Sequence, residues 1–331
     1  MKNQTLETKK KFKLFNPYRD GKGVYEVESR KPTLKFFFVL LWRKFSQLFQ
    51  LNLLMLAKII PLLVIAGIYL LGTKTPMVTD SIFIPLSGIH NILPSSSLTT
   101  ELDLASFQMQ LPVLTPLMNV LIIVLVLFLA LTWGWQSVGA TYVLRGLFRG
   151  DAVFVFSDFF HAIKKNFKQA FFMGLLDFIF SAVLIIDFIF FYYRTGASFG
   201  MDMMYFMIFI LGLVYIVMRF YLYNLLITFE LSNFKILKNA LIFSILGIKR
   251  NFLALLGFAI FLALHIFLII LFLPMGISIP IVLPFVYILA LFGFISTYAA
   301  YPIIDRYMIQ PYAPSDNELP ADSDEEVSTE E

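Results

Sequence analysis

Six apolar stretches decide what this chain can fold into. Each reaches or nearly reaches the ~20 residues that an α-helix needs to cross ~30 Å of hydrocarbon. Lipid offers the backbone no hydrogen-bond partners, so stretches of this kind are expected to be helical. Hydrophobic residues make up 59% of the 331 residues and charged residues 15%, well below the proportion of charge in soluble domains. The sequence predicts an all-α integral membrane protein with about six transmembrane helices, at roughly 49–71, 113–138, 170–193, 203–228, 252–273 and 277–298.

The distribution of Lys and Arg predicts the orientation. Of the 26 basic residues, 22 lie in segments 1–47, 139–169, 230–251 and 299–331, and only two lie in the other loops. Loops on the cytoplasmic side of membrane proteins carry an excess of Lys and Arg. Both termini are therefore predicted to be cytoplasmic, in a multi-pass protein of the cell (plasma) membrane.

This layout divides the chain into three parts. Residues 1–32 form a basic cytoplasmic segment, residues 33–310 a six-span membrane domain, and residues 311–331 an acidic cytoplasmic tail that is expected to be disordered. The membrane domain includes an outside loop at about 72–112, whose prolines argue against one regular element throughout. A fold over the mouth of the bundle and an unstructured tether are both open interpretations of this loop.

A basic pentad occurs twice at the edge of an apolar stretch, as IKKNF at 163–167 and as IKRNF at 248–252. A third, looser copy ends at Phe45 before the first stretch. When the three copies are aligned on the final Phe, mostly apolar residues recur 4, 7, 8 and 11 positions earlier, which trace one face of a helix. The pattern predicts three cytoplasmic amphipathic helices, each leading into an outward-going span, at about 33–45, 156–168 and 233–250.

Two interpretations of this recurrence are open. The chain could contain three parallel units, each made of an interfacial helix, an outward span and a returning span. Alternatively, any amphipathic helix beside a bilayer would show such a pattern. In both cases the basic side chains are predicted to contact anionic lipid headgroups or a partner protein: Arg43, Lys44, Lys164, Lys165, Lys249 and Arg250.

Charged residues inside the spans are the strongest functional candidates, because burying charge in lipid is costly. Helix rise places Asp177 ~10 Å, and Arg219 and Lys58 ~14 Å, from the inner boundary, so the three can meet. They could form a neutralised pair that holds helices together, a site for a solute or a proton, or cations that snorkel to the headgroups. Asp187 and His265 form a second, weaker set in the outer half.

Aromatic and small residues cluster toward the inner end of the second span. Trp133, Trp135 and Tyr142 are typical of an interfacial aromatic belt. Gly134 and Gly139 would allow close approach of another helix.

No known catalytic pattern accompanies these residues. The chain has no cysteine, which excludes disulfides and Cys-based chemistry, and its three histidines are far apart in sequence. HExxH, EF-hand, nucleophile-elbow and Walker patterns are absent from the sequence. We expect a protein that is not an enzyme, holds no metal or cofactor and binds no nucleic acid.

Several stretches resemble the YesL family of bacterial membrane proteins, also described as DUF624. They are LFNPYRDGKG, LLWRKFSQLFQLNLLMLAKIIPLL, TWGWQSVGATYVLRGLFRGDAVFVFSDFFHAIKKNFKQAF and NALIFSILGIKRNFLALL. The resemblance covers most of residues 14–310 and is most specific at 140–171. The outside loop is longer than the short connection usual in that family.

The resemblance implies an architecture, a setting and no catalytic residue. Members of the family accompany carbohydrate-uptake systems of the ABC type in Gram-positive bacteria, which implies ABC transporter subunits as partners. The resulting hypothesis is a non-enzymatic membrane accessory or interaction protein. The alternative is a small-solute or lipid transporter or channel that uses Lys58, Asp177 and Arg219.

Overall fold

The computed structural model describes residues 32–72, 74–76, 110–112 and 114–312. Nine α-helices lie in these ranges: α1 (Leu34–Arg43), α2 (Phe45–Leu71), α3 (Pro116–Arg149), α4 (Val155–Lys165), α5 (Phe167–Tyr192), α6 (Phe199–Thr228), α7 (Asn233–Leu246), α8 (Ile248–Phe272) and α9 (Ile279–Ile304). The predicted basic segment, most of the outside loop and the acidic tail from residue 313 onward lie outside the described residues. Pro311 and Tyr312, which the prediction assigns to the tail, belong to a short 3-10 turn.

Six of these helices are long and apolar enough to cross a membrane: α2, α3, α5, α6, α8 and α9. The prediction of an all-α, six-span membrane protein is therefore confirmed. The prediction ended the second span at residue 138, whereas helix α3 continues to Arg149. Its last turns bury Val143, Leu144 and Leu147 in the core, and Arg145 therefore lies on a helix and not in a loop.

Local capping fixes several helix boundaries. The hydroxyl groups of Thr33 and Thr115 accept hydrogen bonds from the first-turn amides of α1 and α3. Such bonds satisfy backbone donors that a helix start leaves free. Gly150 ends α3 with φ of 84°, a left-handed conformation that favours glycine.

The three short helices α1, α4 and α7 each precede a spanning helix, as predicted. The breaks fall at Lys44, Asn166 and Gly247. We call the end of the bundle that carries these three junctions the basic end.

The third junction differs from the prediction, which ran that helix to residue 250. The structure ends α7 at Leu246, so the pentad IKRNF begins a span, whereas IKKNF closes a short helix. A side chain on Gly247 would overlap the hydroxyl group of the buried Tyr221, so any larger residue at this turn would have to displace that hydroxyl group. Asn251 holds the turn by accepting a hydrogen bond from Tyr221 (2.7 Å) and donating one to the Ser244 carbonyl (2.9 Å).

The predicted apolar face of each short helix is divided between the bundle and the outside. Residues 8 positions before the aligned Phe are buried in all three copies: Phe37, Phe159 and Ser244. Residues 7 and 11 positions before it are exposed: Phe38 and Leu34, Phe160 and Phe156, Ile245 and Leu241. Each short helix therefore packs one face on the bundle and leaves an apolar row outside, which suits the surface of a bilayer.

The packing of the helices repeats three times. The second spanning helices of the three units, α3, α6 and α9, contact one another at the centre of the bundle. The first spanning helix of each unit packs on the second, as α2 does on α3, α5 on α6 and α8 on α9. It also contacts the second spanning helix of the preceding unit, since α5 packs on α3, α2 on α9, and α8 on α6 through Phe258 and Phe220.

Each short helix likewise packs on the second spanning helix of the preceding unit. Helix α4 packs on α3 and helix α7 packs on α6. Helix α1 contacts α9 through Phe37, which lies against Phe294 and Tyr298. This cyclic order supports the interpretation that the chain contains three parallel units.

A two-stranded pairing closes the opposite end of the first unit. Strand β1 (Lys74–Pro76) pairs antiparallel with β2 (Gln110–Pro112), with Thr75 opposite Leu111. The sequence did not predict these strands. They bring together the two ends of the outside loop.

Helix α9 contains two internal prolines, and α8 supplies a partner for the backbone carbonyl that each one leaves unpaired. A proline has no N–H to donate to the carbonyl four residues earlier. For Pro284 this carbonyl is that of Pro280, which lies 2.8 Å from Nε2 of His265. For Pro302 it is that of Tyr298, which accepts a bond from Arg250 (3.3 Å).

This arrangement predicts that much of the stability that His265 gives to the last span depends on the presence of Pro284. We expect His265→Ala to lower the free energy of unfolding by about 1–3 kcal/mol, because the Pro280 carbonyl loses its partner inside the bundle. In a Pro284→Ala background the restored N–H can take this carbonyl, so the same substitution should cost clearly less. Unfolding of the purified protein in detergent measures both values, and an equal cost in both backgrounds would contradict the assignment.

Candidate functional site

The carboxylate of Asp177 on α5 is wholly buried and receives hydrogen bonds from two neighbouring helices. Arg219 Nε lies 2.9 Å and Tyr215 OH 2.7 Å from Oδ1. Tyr223 OH lies 2.6 Å and Trp133 Nε1 2.7 Å from Oδ2. The structure thus brings the predicted pair Asp177 and Arg219 together and adds three further donors.

Close approach of α3 and α5 makes this geometry possible. A Cβ atom on Gly134 would overlap the Ala170 carbonyl oxygen and lie 2.7 Å from the Cα atom of Gly174. The two backbones therefore touch where both helices carry glycine. Trp133, next to Gly134, consequently reaches Asp177, which lies about one turn beyond Gly174.

Helix α6 supplies the other three donors from one face. Tyr215, Arg219 and Tyr223 follow one another at intervals of four residues, which places them in a row along a helix. Their side chains converge on the same carboxylate.

Lys58 on α2 lies beside this cluster. Its Nζ atom donates a hydrogen bond to Ser137 Oγ (3.1 Å) and lies 3.4 Å from the centroid of the Trp133 ring. The guanidinium carbon of Arg219 lies 5.6 Å from the same ring. A cation over an indole face is attracted by the ring quadrupole, so Trp133 holds the two basic residues near one another.

The hydrogen bonding limits what Asp177 can do. A carboxylate offers about four acceptor positions, and four side chains already occupy those of Asp177. A carrier of protons or solute would need an accessible oxygen, whereas this carboxylate joins α3, α5 and α6. The charges in this cluster are unequal, because two basic residues, Lys58 and Arg219, lie near a single carboxylate. The Arg219 side chain is also 32% exposed.

The second set of residues predicted in the spans, Asp187 and His265, is not brought together. No hydrogen bond or ion pair joins Asp187 to His265. The imidazole of His265 is buried and bonded to the Pro280 carbonyl and to the Tyr287 hydroxyl group (3.2 Å). It therefore contributes to the packing of α8 on α9.

The six basic residues predicted at the membrane surface divide into two groups. Four are exposed at the basic end: Arg43, Lys164, Lys165 and Lys249. Lys44 is half-buried at the first junction, and its burial, together with the neighbouring charge of Arg43, lowers the pKa of its amino group. Arg250 is engaged with the Tyr298 carbonyl, which gives it a structural role.

Sequence reasoning missed most partners of the charged pair. It interpreted Trp133 as an aromatic-belt residue, whereas its indole N–H binds Asp177. Tyr215 and Tyr223 lie four residues before and after Arg219, and this spacing could have predicted that both lie on the same helix face as Arg219. Asn52, which bonds to the Phe285 carbonyl (2.6 Å) and the Ala290 amide (3.0 Å) and so ties α2 to α9, was also not singled out.

No metal site is found in the part of the chain that the structure describes, where no group of three or more His, Asp or Glu residues is placed to hold an ion.

Six spanning helices in a cyclic arrangement, with a buried ion pair between them, define a multi-span helical membrane protein. The family model described as "Protein of unknown function, DUF624" matches residues 116–188, which run from the start of α3 into α5. The resemblance to the YesL family, which is the DUF624 family, is thereby confirmed over this segment. Trp133 and Asp177 lie within it. No curated protein and no solved structure matches the chain.

The geometry predicts that the charge of Asp177 contributes strongly to stability. Asp177→Asn should lower the free energy of unfolding by about 3–5 kcal/mol, because it leaves Arg219 without its counter-charge inside the bundle. Asp187→Asn is the matched control on the same helix and should change this free energy much less. Thermal or chemical unfolding in detergent tests both, and equal effects of the two substitutions would refute the structural role of Asp177.

Proposed function

We propose that this protein is a non-enzymatic membrane accessory protein that presents its basic end to a partner. The observation that carries the proposal is the display of three short helices, α1, α4 and α7, at one end of a bundle whose principal buried charge is already satisfied. Each helix leaves apolar residues exposed, with exposed basic residues at or next to its junction. Such surfaces suit contact with a protein at the membrane surface.

The identity of the partner rests on the resemblance to the YesL family. It implies the permease or ATPase subunits of an ABC-type carbohydrate-uptake system. The excess of Lys and Arg at the basic end supports a cytoplasmic position for this end under the positive-inside rule, and an ATPase subunit would be accessible there.

Co-purification tests this proposal. The full chain is isolated in mild detergent from native membranes of cells grown on several oligosaccharides, after treatment with an amine-reactive crosslinker. We expect stoichiometric recovery of ABC subunits on at least one carbon source, with crosslinks from Lys249. Lys249→Arg keeps the charge but removes the reactive amine, so it should abolish this crosslink and leave co-purification intact.

Two results would contradict the accessory function. One is recovery of the chain alone, or with copies of itself, on every carbon source. The other is a partner crosslinked only through Lys74, which lies at the opposite end of the bundle.

A second candidate function is the transport of a small anion. Two basic side chains lie near one carboxylate: Arg219 is paired with Asp177, whereas Lys58 donates to Ser137, and Arg219 is partly exposed. An anionic solute would balance this charge. This observation favours a site at Lys58, because Asp177 is occupied.

Flux through proteoliposomes separates the two candidates. If the chain transports small anions, Lys58→Met should reduce uptake of chloride or inorganic phosphate at least tenfold while the protein stays folded. Under the accessory function, the wild-type protein and Lys58→Met should both show the background leak of protein-free vesicles. Asp177→Asn is measured in parallel, and loss of an established flux in this variant, with folding retained, would overturn the structural role of the carboxylate.

A further inference from the structure

An open cavity of about 680 Å³ lies at the basic end, where the junction between α4 and α5 faces the connection between α6 and α7. Residues 164–169 form one wall and residues 226–231 the other. Helix α5 begins and helix α6 ends at this level, so the cavity lies where a spanning bundle meets the headgroup region of the bilayer.

Three lysines line the first wall. Lys164 and Lys165 end α4, and Lys168 lies in the first turn of α5. All three are exposed, and none forms an ion pair or a side-chain hydrogen bond with another described residue. Glu230 is the carboxylate among the lining residues, and it too is exposed and unpaired with these lysines. The lining therefore carries a net positive charge.

Three acceptors on the second wall, those of Ile227, Thr228 and Leu231, already have side-chain donors. Arg145 donates to the Thr228 hydroxyl group (2.9 Å) and to the Ile227 carbonyl (3.4 Å). Gln169 donates to the Leu231 carbonyl (2.6 Å). Glu230 is therefore the one carboxylate on this wall that could neutralise a lysine, and three lysines exceed its single negative charge, which leaves positive charge for a ligand.

A second groove, of about 430 Å³, shares Lys164 with this cavity. Its other lining residues are Phe156, Ser157, Phe160 and His161 on the outer side of α4. Both phenylalanines are largely exposed. A basic cavity thus adjoins an aromatic groove along one short helix, an arrangement that fits a molecule with an anionic head and a hydrocarbon chain.

We propose that this surface binds one anionic phospholipid. The phosphate would lie against Lys164, Lys165 and Lys168, and an acyl chain would lie along Phe156 and Phe160. Basic pockets between spanning helices are the kind of site that holds anionic headgroups. Among the described residues, the other two junctions do not offer three such lysines, because Lys44 is half-buried and Arg250 is bonded to the Tyr298 carbonyl.

Native mass spectrometry of the purified full chain tests the proposal, with phosphatidylglycerol and phosphatidylcholine as the probes. We expect one tightly retained phosphatidylglycerol per chain, with phosphatidylcholine binding at least tenfold weaker. The triple variant Lys164→Gln, Lys165→Gln, Lys168→Gln should bind phosphatidylglycerol at least tenfold more weakly, since each basic residue near an anionic lipid contributes about fivefold. Replacing the same three residues by Arg should retain binding.

Lys249→Gln is the matched control, because Lys249 holds the position in IKRNF that Lys164 holds in IKKNF. It should change the affinity for phosphatidylglycerol less than twofold. Equal binding of the two lipids, or equal losses in the triple variant and in Lys249→Gln, would overturn the proposal. Competition by millimolar inorganic phosphate that removes the lipid completely would also overturn it and would assign the lysines to a free phosphate.

Size-exclusion profiles and circular dichroism verify that the triple variant is folded. This test uses the isolated protein and so does not depend on the proposed accessory function. Failure of lipid binding would leave the co-purification result unaffected, and failure of co-purification would not affect the evidence for the lipid site.

Discussion

The carboxylate of Asp177 is the interaction on which the packing of the first two units depends. A lone charge inside a spanning bundle is costly, and it is retained here because Arg219, Trp133, Tyr215 and Tyr223 all donate to it. Those donors come from α3 and α6, so the charge can be satisfied only when α5 lies between them. The helix crossing at Gly134 and Gly174, the row of donors on α6 and the position of Lys58 over Trp133 are all compatible with this one arrangement.

Polar side chains elsewhere in the spans work in the same way, each joining two helices. His265 and Arg250 on α8 pair with the carbonyls that Pro284 and Pro302 leave free on α9, and Asn52 joins α2 to α9. Hydrogen bonds therefore complement the apolar packing at contacts within and between the three units. Because these polar groups are engaged, the surface that distinguishes this bundle is its basic end, where exposed lysines and aromatic residues meet the membrane boundary. Both proposals, a docked partner and a bound lipid, concern that end.

Local properties made much of this fold predictable. The number of spans and the three short helices follow from the length of the apolar stretches and from the basic pentads, and the charged pair follows from the cost of burying Asp177 and Arg219. The predicted end of α7, at residue 250, was wrong, because the break at Gly247 depends on Tyr221, which is distant in sequence. Trp133 was misinterpreted for a similar reason, since a tryptophan near the membrane boundary has an ordinary explanation that needs no partner. The buried face of the short helices depends on which neighbouring helix receives them, and this is a property of the whole bundle.

A double-mutant cycle between Asp177→Asn and Arg219→Gln tests the central claim most directly. The free energy of unfolding is measured in detergent for the wild-type protein, both single variants and the double variant. If the pair is a structural ion pair, removing both charges should cost much less than the sum of the single losses, with a coupling energy of about 2 kcal/mol or more. Additive losses, within about 0.5 kcal/mol, would show that the two residues act independently and would contradict the account.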